Sequence, residues 1–157
     1  MIFLHPVAIK PYLKNYMARY CQIDPVLVIT SKNRFASYLL VSLRHKVVLP
    51  GLDERDYNLG DKTEKILVSI PELYERNFGV IISDKHQYWF NKFVQEDFQD
   101  KMLSFVVPKL TGKKNEIKPA LMKFRELYNI TEDELSIRTM EKMWERSRDR
   151  IPLYRQN

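Results

Sequence analysis

Thr131 and Glu134 stand three residues apart in the run Tyr128-Asn129-Ile130-Thr131-Glu132-Asp133-Glu134-Leu135. No other feature of the chain constrains local structure as strongly. A threonine oxygen at the start of a helix accepts a backbone N–H, and a glutamate three residues on reaches back to the threonine N–H. Ile130 and Leu135 flank this box where a hydrophobic staple forms. Asn129 tolerates the left-handed backbone that ends a preceding helix. The stretch therefore predicts two helices joined by a tight turn, the outline of a helix-turn-helix hairpin. The first carries the apolar stripe Ile117, Leu121, Phe124 and Tyr128, with Pro119 tolerable in its first turn. The second is expected from about Glu132 to Asp149 and buries Leu135, Met140, Met143 and Trp144.

Upstream, apolar periodicity alternates between two and three to four residues. Residues 1–9 read as an edge strand or extended lead-in, because Pro6 cannot donate to a ladder. Leu13, Tyr16, Met17 and Tyr20 recur at helical spacing after Pro11. Val26 to Thr30 is a β-branched strand run. Ser31 is positioned to cap a helix whose buried face is Phe35, Ala36, Leu39, Leu40 and Leu43. Residues 46–50, 65–70 and 80–82 read as further strands. The order helix, long loop, strand within 25–70 has the outline of a winged helix. Residues 84–106 form the longest predicted helix, capped by Ser83 or Asp84, with Phe90, Val94, Phe98, Met102 and Phe105 on one face. Trp89, Phe93 and Val106 widen that face, and Glu96, Asp97 and Asp100 lie away from it. The fold class expected is α+β: a small antiparallel sheet with helices in the N-terminal half, and a helical C-terminal half. The loop near 111–115 separates a body, 1–110, from a hairpin, 111–157, within one compact whole.

Composition excludes several classes. Hydrophobic residues make up 45% of the 157-residue chain, enough to bury a core and too many for a disordered protein. The single cysteine, Cys21, cannot form an internal disulfide, and it reads as a small core residue. The opening Met1–Pro6 is too short for a signal peptide, and no apolar run approaches a membrane span. A cytoplasmic location, with no membrane partner, is the expectation. Net charge is +6, distributed as +4 over 1–60, −1 over 61–110 and +3 over 111–157. Basic surplus at both ends points to nucleic acid or another polyanion.

Catalytic patterns are missing from the sequence. His5, His45 and His86 share no ligand spacing, and each reads as a surface or turn histidine. No phosphate-binding glycine loop or nucleophile elbow occurs. Glu96, Asp97 and Asp100 could hold a metal from one helix, but acids beside Lys92 and Lys101 are more commonly solvated. No enzyme activity, cofactor or metal is expected. Tyr88, Trp89, Phe90 and Phe93 read as core before they read as a base-stacking platform.

The candidate nucleic-acid-binding residues are basic. Arg138, Lys142, Arg146, Arg148 and Arg150 crowd the exposed side and end of the last helix. Lys32, Arg34 and Arg44 make a second patch. Arg44 complements a helix C-terminus, whereas Lys32 and Arg34 stand at the end where a phosphate, not a cation, is favoured. Departures from a helix-turn-helix are clear. Arg125 occupies a position that is normally small, Arg138 one that is normally apolar, and Glu132-Asp133-Glu134 would repel phosphate. A helical hairpin with a solvated charged face is the competing reading.

The run Phe124 to Leu135, continued by Met143-Trp144-Glu145-Arg146, resembles small uncharacterised proteins of phages and mobile elements in gut bacteria. The resemblance covers residues 117–150 and loosely the helix from Ser83 to Val106. It carries over no functional residues and implies only a setting in mobile DNA. Taken together, the readings lead to a non-enzymatic duplex-DNA-binding protein acting in regulation, replication or maintenance of such an element. The alternative is a structural or adaptor protein that binds a protein partner, or a second copy of itself, through exposed helices.

Overall fold

Pro6 decides where the first strand sits. In the computed structural model, which describes residues 2–21, 26–28, 33–44, 57–78 and 82–151, β1 (Ile2–Ile9) is an edge strand. It pairs antiparallel with β3 (Glu64–Pro71), Pro6 opposite Leu67. Ala8 turns both backbone groups away from β3, toward side chains of α4 (Asp84–Val106). Pro6, two residues earlier, has the same orientation, so its missing N–H leaves no gap in the ladder. Alternation does the rest. Val7 and Ile9 are fully buried, and Leu4 is exposed. On β3 the buried face is Ile66, Val68 and Ile70, as the alternation predicts.

The sheet is mixed. The antiparallel pair β1–β3 is joined by β2 (Val26–Val28), which runs parallel to β3. Strand order is β1-β3-β2. Parallel neighbours need a crossover, here containing α2 (Arg34–Arg44). Among the described residues β3 is flanked by β1 and β2, and the other strand of the expected winged-helix hairpin, 46–50, is not among them. Residues 46–50 and 80–81 fall outside the described residues, and Ile82 belongs to no strand.

The helices of this unit bury the predicted stripes. In α1 (Pro11–Cys21), Leu13, Tyr16 and Met17 are buried, while Tyr20 is exposed and stacks on Tyr16 at 5.5 Å. All five apolar residues expected for α2 are buried. Its cap is Asn33, not Ser31: the Asn33 Oδ1 accepts the N–H groups of Phe35 and Ala36 at 2.9 and 3.3 Å. The helix begins at Arg34, and Ser31 lies outside the described residues. After β3, α3 (Glu72–Phe78) is a short helix. Ser83 caps α4 through its Oγ, which accepts the His86 N–H, and the His86 Nδ1 accepts the Ser83 N–H at 3.1 Å. Histidine thus takes the part that glutamate plays in a capping box.

Two residues on α4 tie down the open edge of β1. Gln87 Oε1 accepts the Ala8 N–H at 2.8 Å. Asn91, only 1% exposed, accepts the Lys10 N–H through Oδ1 and donates Nδ2 to the carbonyls of Ala8 and Gln87. An open strand edge invites pairing with another chain, and side-chain amides that occupy its groups suppress that.

The chain divides into two compact units, Met1–Val94 and Gln95–Asn157. Packing explains the division. In the second unit, Phe124 of α5 (Ile117–Leu127) meets Phe98 and Phe105 of α4 at centroid distances of 5.3 and 5.5 Å, and Tyr128 at 5.0 Å. Leu121, Met102 and Met140 are fully buried beside this group in the same unit, and Trp144 is nearly so. The second half of α4 therefore belongs to the core of the C-terminal hairpin. Asp97 also departs from its predicted acidic surface. It is 2% exposed, whereas Glu96 and Asp100 face solvent.

Asn91→Ala should destabilise the protein by about 2 kcal/mol, because it leaves the Ala8 carbonyl and the Lys10 N–H without their partner. Gln87→Ala, which removes the bond to the Ala8 N–H at 2.8 Å and a longer one to the Ile82 carbonyl at 3.4 Å on a less buried residue, should cost roughly half as much. Urea midpoints of the two variants check the ranking; a larger loss for Gln87→Ala would contradict it.

Candidate nucleic-acid interface

The end of α5 is shaped by Asn129. Its φ is 53°, the left-handed region expected of it. The Asn129 N–H donates to the Glu126 carbonyl at 3.0 Å, and the Ile130 N–H to the Arg125 carbonyl at 3.1 Å. These are the two bonds of a Schellman motif.

The Thr131 box forms, but it does not start the last helix. Glu134 accepts the Thr131 N–H at 2.9 Å, and Thr131 Oγ1 accepts the Glu134 N–H at 3.4 Å. The box closes a single turn over 132–134. Helix α6 (Ile137–Arg148) starts later and takes Ser136 as its N-cap, whose Oγ accepts the Thr139 N–H at 3.2 Å. The connection thus spans nine residues, 128–136, against the three or four of a helix-turn-helix. Two caps in tandem lengthened it, and the sequence reading used only the first.

Arg125 holds this connection. Its side chain is 13% exposed, and it pairs with the Glu132 carboxylate and donates to the Leu135 carbonyl at 3.2 Å. Glu132 also accepts the Ile137 N–H at 3.3 Å, so it neutralises the guanidinium and satisfies an early amide of α6. The Arg125 hydrogen bond, outweighing desolvation, holds the Glu132 carboxyl below its ordinary range. The large residue that argued against a helix-turn-helix is the fastener of a different turn.

Helical phase then sorts the basic residues. Successive residues are about 100° apart around a helix. Lys142, Arg146 and Arg150 follow one another at four-residue steps along one flank of α6 and its C-terminal turn. They line a cleft of about 400 Å³ with Gln95 and Gln99 of α4 and with Thr139, Met143 and Ser147. Arg138 is exposed one step before Lys142 on the same row but outside the cleft. Arg148, two residues after Arg146, lies about 160° around the helix from it. Arg34 belongs to the other unit, with its guanidinium carbon 5.1 Å from the Phe93 ring centroid. That ring stacks on Tyr38 at 4.3 Å. Lys32 lies outside the described residues, as does the side chain of Arg44. Of the six predicted residues whose side chains are described, the structure brings together three.

Those three cations are available to a ligand. Among the described residues, none of Arg138, Lys142, Arg146, Arg148 and Arg150 forms an ion pair. Glu141, Glu145 and Asp149 were expected to engage some of them. Glu145 and Asp149 are exposed and do not line the cleft, and Glu141 lines a different one. Gln95 and Gln99 were missed in the sequence. Their four-residue spacing marks a polar strip on α4, but only the fold sets it opposite Lys142 and Arg146. Such a cleft can hold an anion by charge, with amide and hydroxyl groups to orient it. It contains no nucleophile–base pair. Among the described residues, no group of three or more His, Cys, Asp or Glu is arranged to hold a metal ion, and no helix is long and apolar enough to cross a membrane.

Two measurements test this geometry. Ser136→Ala should cost about 1 kcal/mol by removing the cap of α6, read as a lower urea midpoint. Glu132 has a folded-state pKa below its unfolded value, so the stability it contributes is present above the ordinary glutamate range and is lost as pH falls through the folded value. The stability difference between wild type and Glu132→Gln should therefore shrink from pH 7 toward strongly acidic pH. A pH-independent difference would contradict the Arg125–Glu132 linkage.

Compared with known protein families, with curated proteins and with solved structures, the chain finds no match in any of the three.

Proposed function

We propose that this protein binds duplex DNA through its phosphates and carries out no chemistry on it. One observation carries the reading: Lys142, Arg146 and Arg150, three cations that form no ion pair among the described residues, line one polar cleft at single-turn intervals. Eight residues of helical rise span about 12 Å, a row matched to the closely spaced charges of a duplex. Glu145 and Asp149 are exposed among the cations of α6 and argue against deep insertion into the major groove, where they would meet phosphates. Contact is therefore to the backbone, which gives affinity and register without sequence readout. In the mobile-element setting that the resemblance implies, such binding serves regulation, replication or maintenance.

A second reading, a protein-binding adaptor, is favoured by the other cleft of the same unit. It has a volume of about 710 Å³ and an apolar lining that includes Leu110, Ile117, Pro119 and Met122, with Glu141 at its side. Met122 and Leu127 are each 38% exposed on α5.

Fluorescence anisotropy with a random duplex at several salt concentrations tests the DNA reading. Three contacts predict that log K falls with log salt at a slope of about 2.7. Arg146→Ala with Arg150→Ala should reduce that slope by about two, equally for unrelated sequences. Arg148→Ala, on the far flank, should leave it unchanged. Duplex binding that is absent at low salt, or unaffected by the double substitution, would overturn the reading and favour the adaptor.

A further inference from the structure

The first half of α4 carries a surface of different chemistry. Trp89 is 42% exposed within this 23-residue helix, whereas Trp144, the other tryptophan, is 2% exposed. The expectation that Trp89 widens the buried face does not hold: it lies beside that face, on the solvent side. The indole is braced. The Tyr88 ring meets it edge-on at 5.4 Å and 90°, and Tyr57 leans on Tyr88 at 5.2 Å. The Lys62 and Lys92 ammonium groups stand 5.4 and 5.9 Å from the Tyr88 centroid. Lys85, four residues before Trp89, and Lys92, three after it, share its helix face. Glu96 is the first acid further along that stripe.

We infer that the Trp89 face of α4 is a stacking platform for the unpaired bases of a single-stranded nucleic acid. A fixed indole offers a flat π-surface that any base can stack on, and flanking lysines attract the phosphates on either side of that base. Bases inside a duplex have both faces occupied, so the platform selects unpaired nucleotides. Lysine is depleted in protein–protein interfaces relative to the rest of the surface, and this face has it on both sides of the aromatic residue. The inference shares with the α6 cleft the premise of a nucleic-acid ligand but rests on residues of the other unit alone.

Titration of the full-length protein with an oligothymidylate of about 15 nucleotides tests it. Tryptophan emission should be quenched, because the exposed indole contacts the bases while Trp144 does not. Trp89→Phe, which leaves Trp144 as the only emitter, should abolish the quenching. Trp89→Ala should weaken oligothymidylate binding roughly tenfold by anisotropy, and duplex affinity should hold. The Arg146→Ala, Arg150→Ala protein should keep the quenching even where it loses duplex binding, which separates the two sites. Absence of quenching, or equal oligothymidylate affinity for wild type and Trp89→Ala, would overturn the platform and leave the α6 cleft standing. A blue shift with phosphatidylserine vesicles and no response to oligothymidylate would overturn it in favour of a membrane surface.

Discussion

A guanidinium that is 13% exposed must have its charge and its donors met, and the way Arg125 meets them determines where α6 lies. One donor goes to the Leu135 carbonyl, in the segment that leads into the Ser136 cap. The charge goes to Glu132, whose carboxylate also takes the Ile137 N–H. Three consecutive pieces of backbone, the end of α5, the 132–134 turn and the start of α6, are thereby tied to one side chain. Removing one partner of such a pair leaves a charge poorly solvated, so the arrangement is costly to break. It also explains why the hairpin is not a helix-turn-helix. The nine-residue connection is not slack; each segment of it is hydrogen-bonded.

The phase of α6 sets which of its side chains line the cleft. Met140, Trp144 and Ser147 face the core. Lys142, Arg146 and Arg150 then fall on the flank that faces Gln95 and Gln99, and Arg148 falls on the other flank. Starting the helix at Ile137 does not change the order of residues, but the packing of Trp144 selects which flank borders α4. Glu145 and Asp149 are exposed and outside the cleft lining, and the cleft keeps three cations that no carboxylate of the described residues neutralises. Such a cleft retains a positive potential strengthened by its partly enclosed walls.

The N-terminal unit shows a related economy on α4. Phe90 and Val94 are fully buried. Gln87 and Asn91 close the edge of β1, and Trp89 with Lys85 and Lys92 projects to solvent. Three functions are served by three angular sectors of one helix. Much of this was legible. The burial of Phe90, the strand at β3 with Ile66, Val68 and Ile70 inward, and the edge position implied by Pro6 all follow from local periodicity. The identity of β3's neighbours did not, because a parallel pairing with β2 depends on a crossover that no local pattern encodes.

By itself the sequence determined the elements with a local physical cause. The left-handed Asn129 and the Thr131–Glu134 box depend on residues within a few positions of each other, as do the apolar stripes of α1, α2, α4 and α5. Tertiary structure alone decided what those elements mean to one another. It made Arg125 a buried fastener instead of a misfit, and it assigned the second half of α4 to the C-terminal core through Phe98, Phe105 and Phe124. It turned Trp89 outward, drew Asp97 inward, and gathered three of the described candidate basic residues in one cleft. The reason is that a local bond involves groups already adjacent in the chain. Burial and charge isolation depend on which distant surface arrives opposite, and a single sequence read in order does not contain that distance.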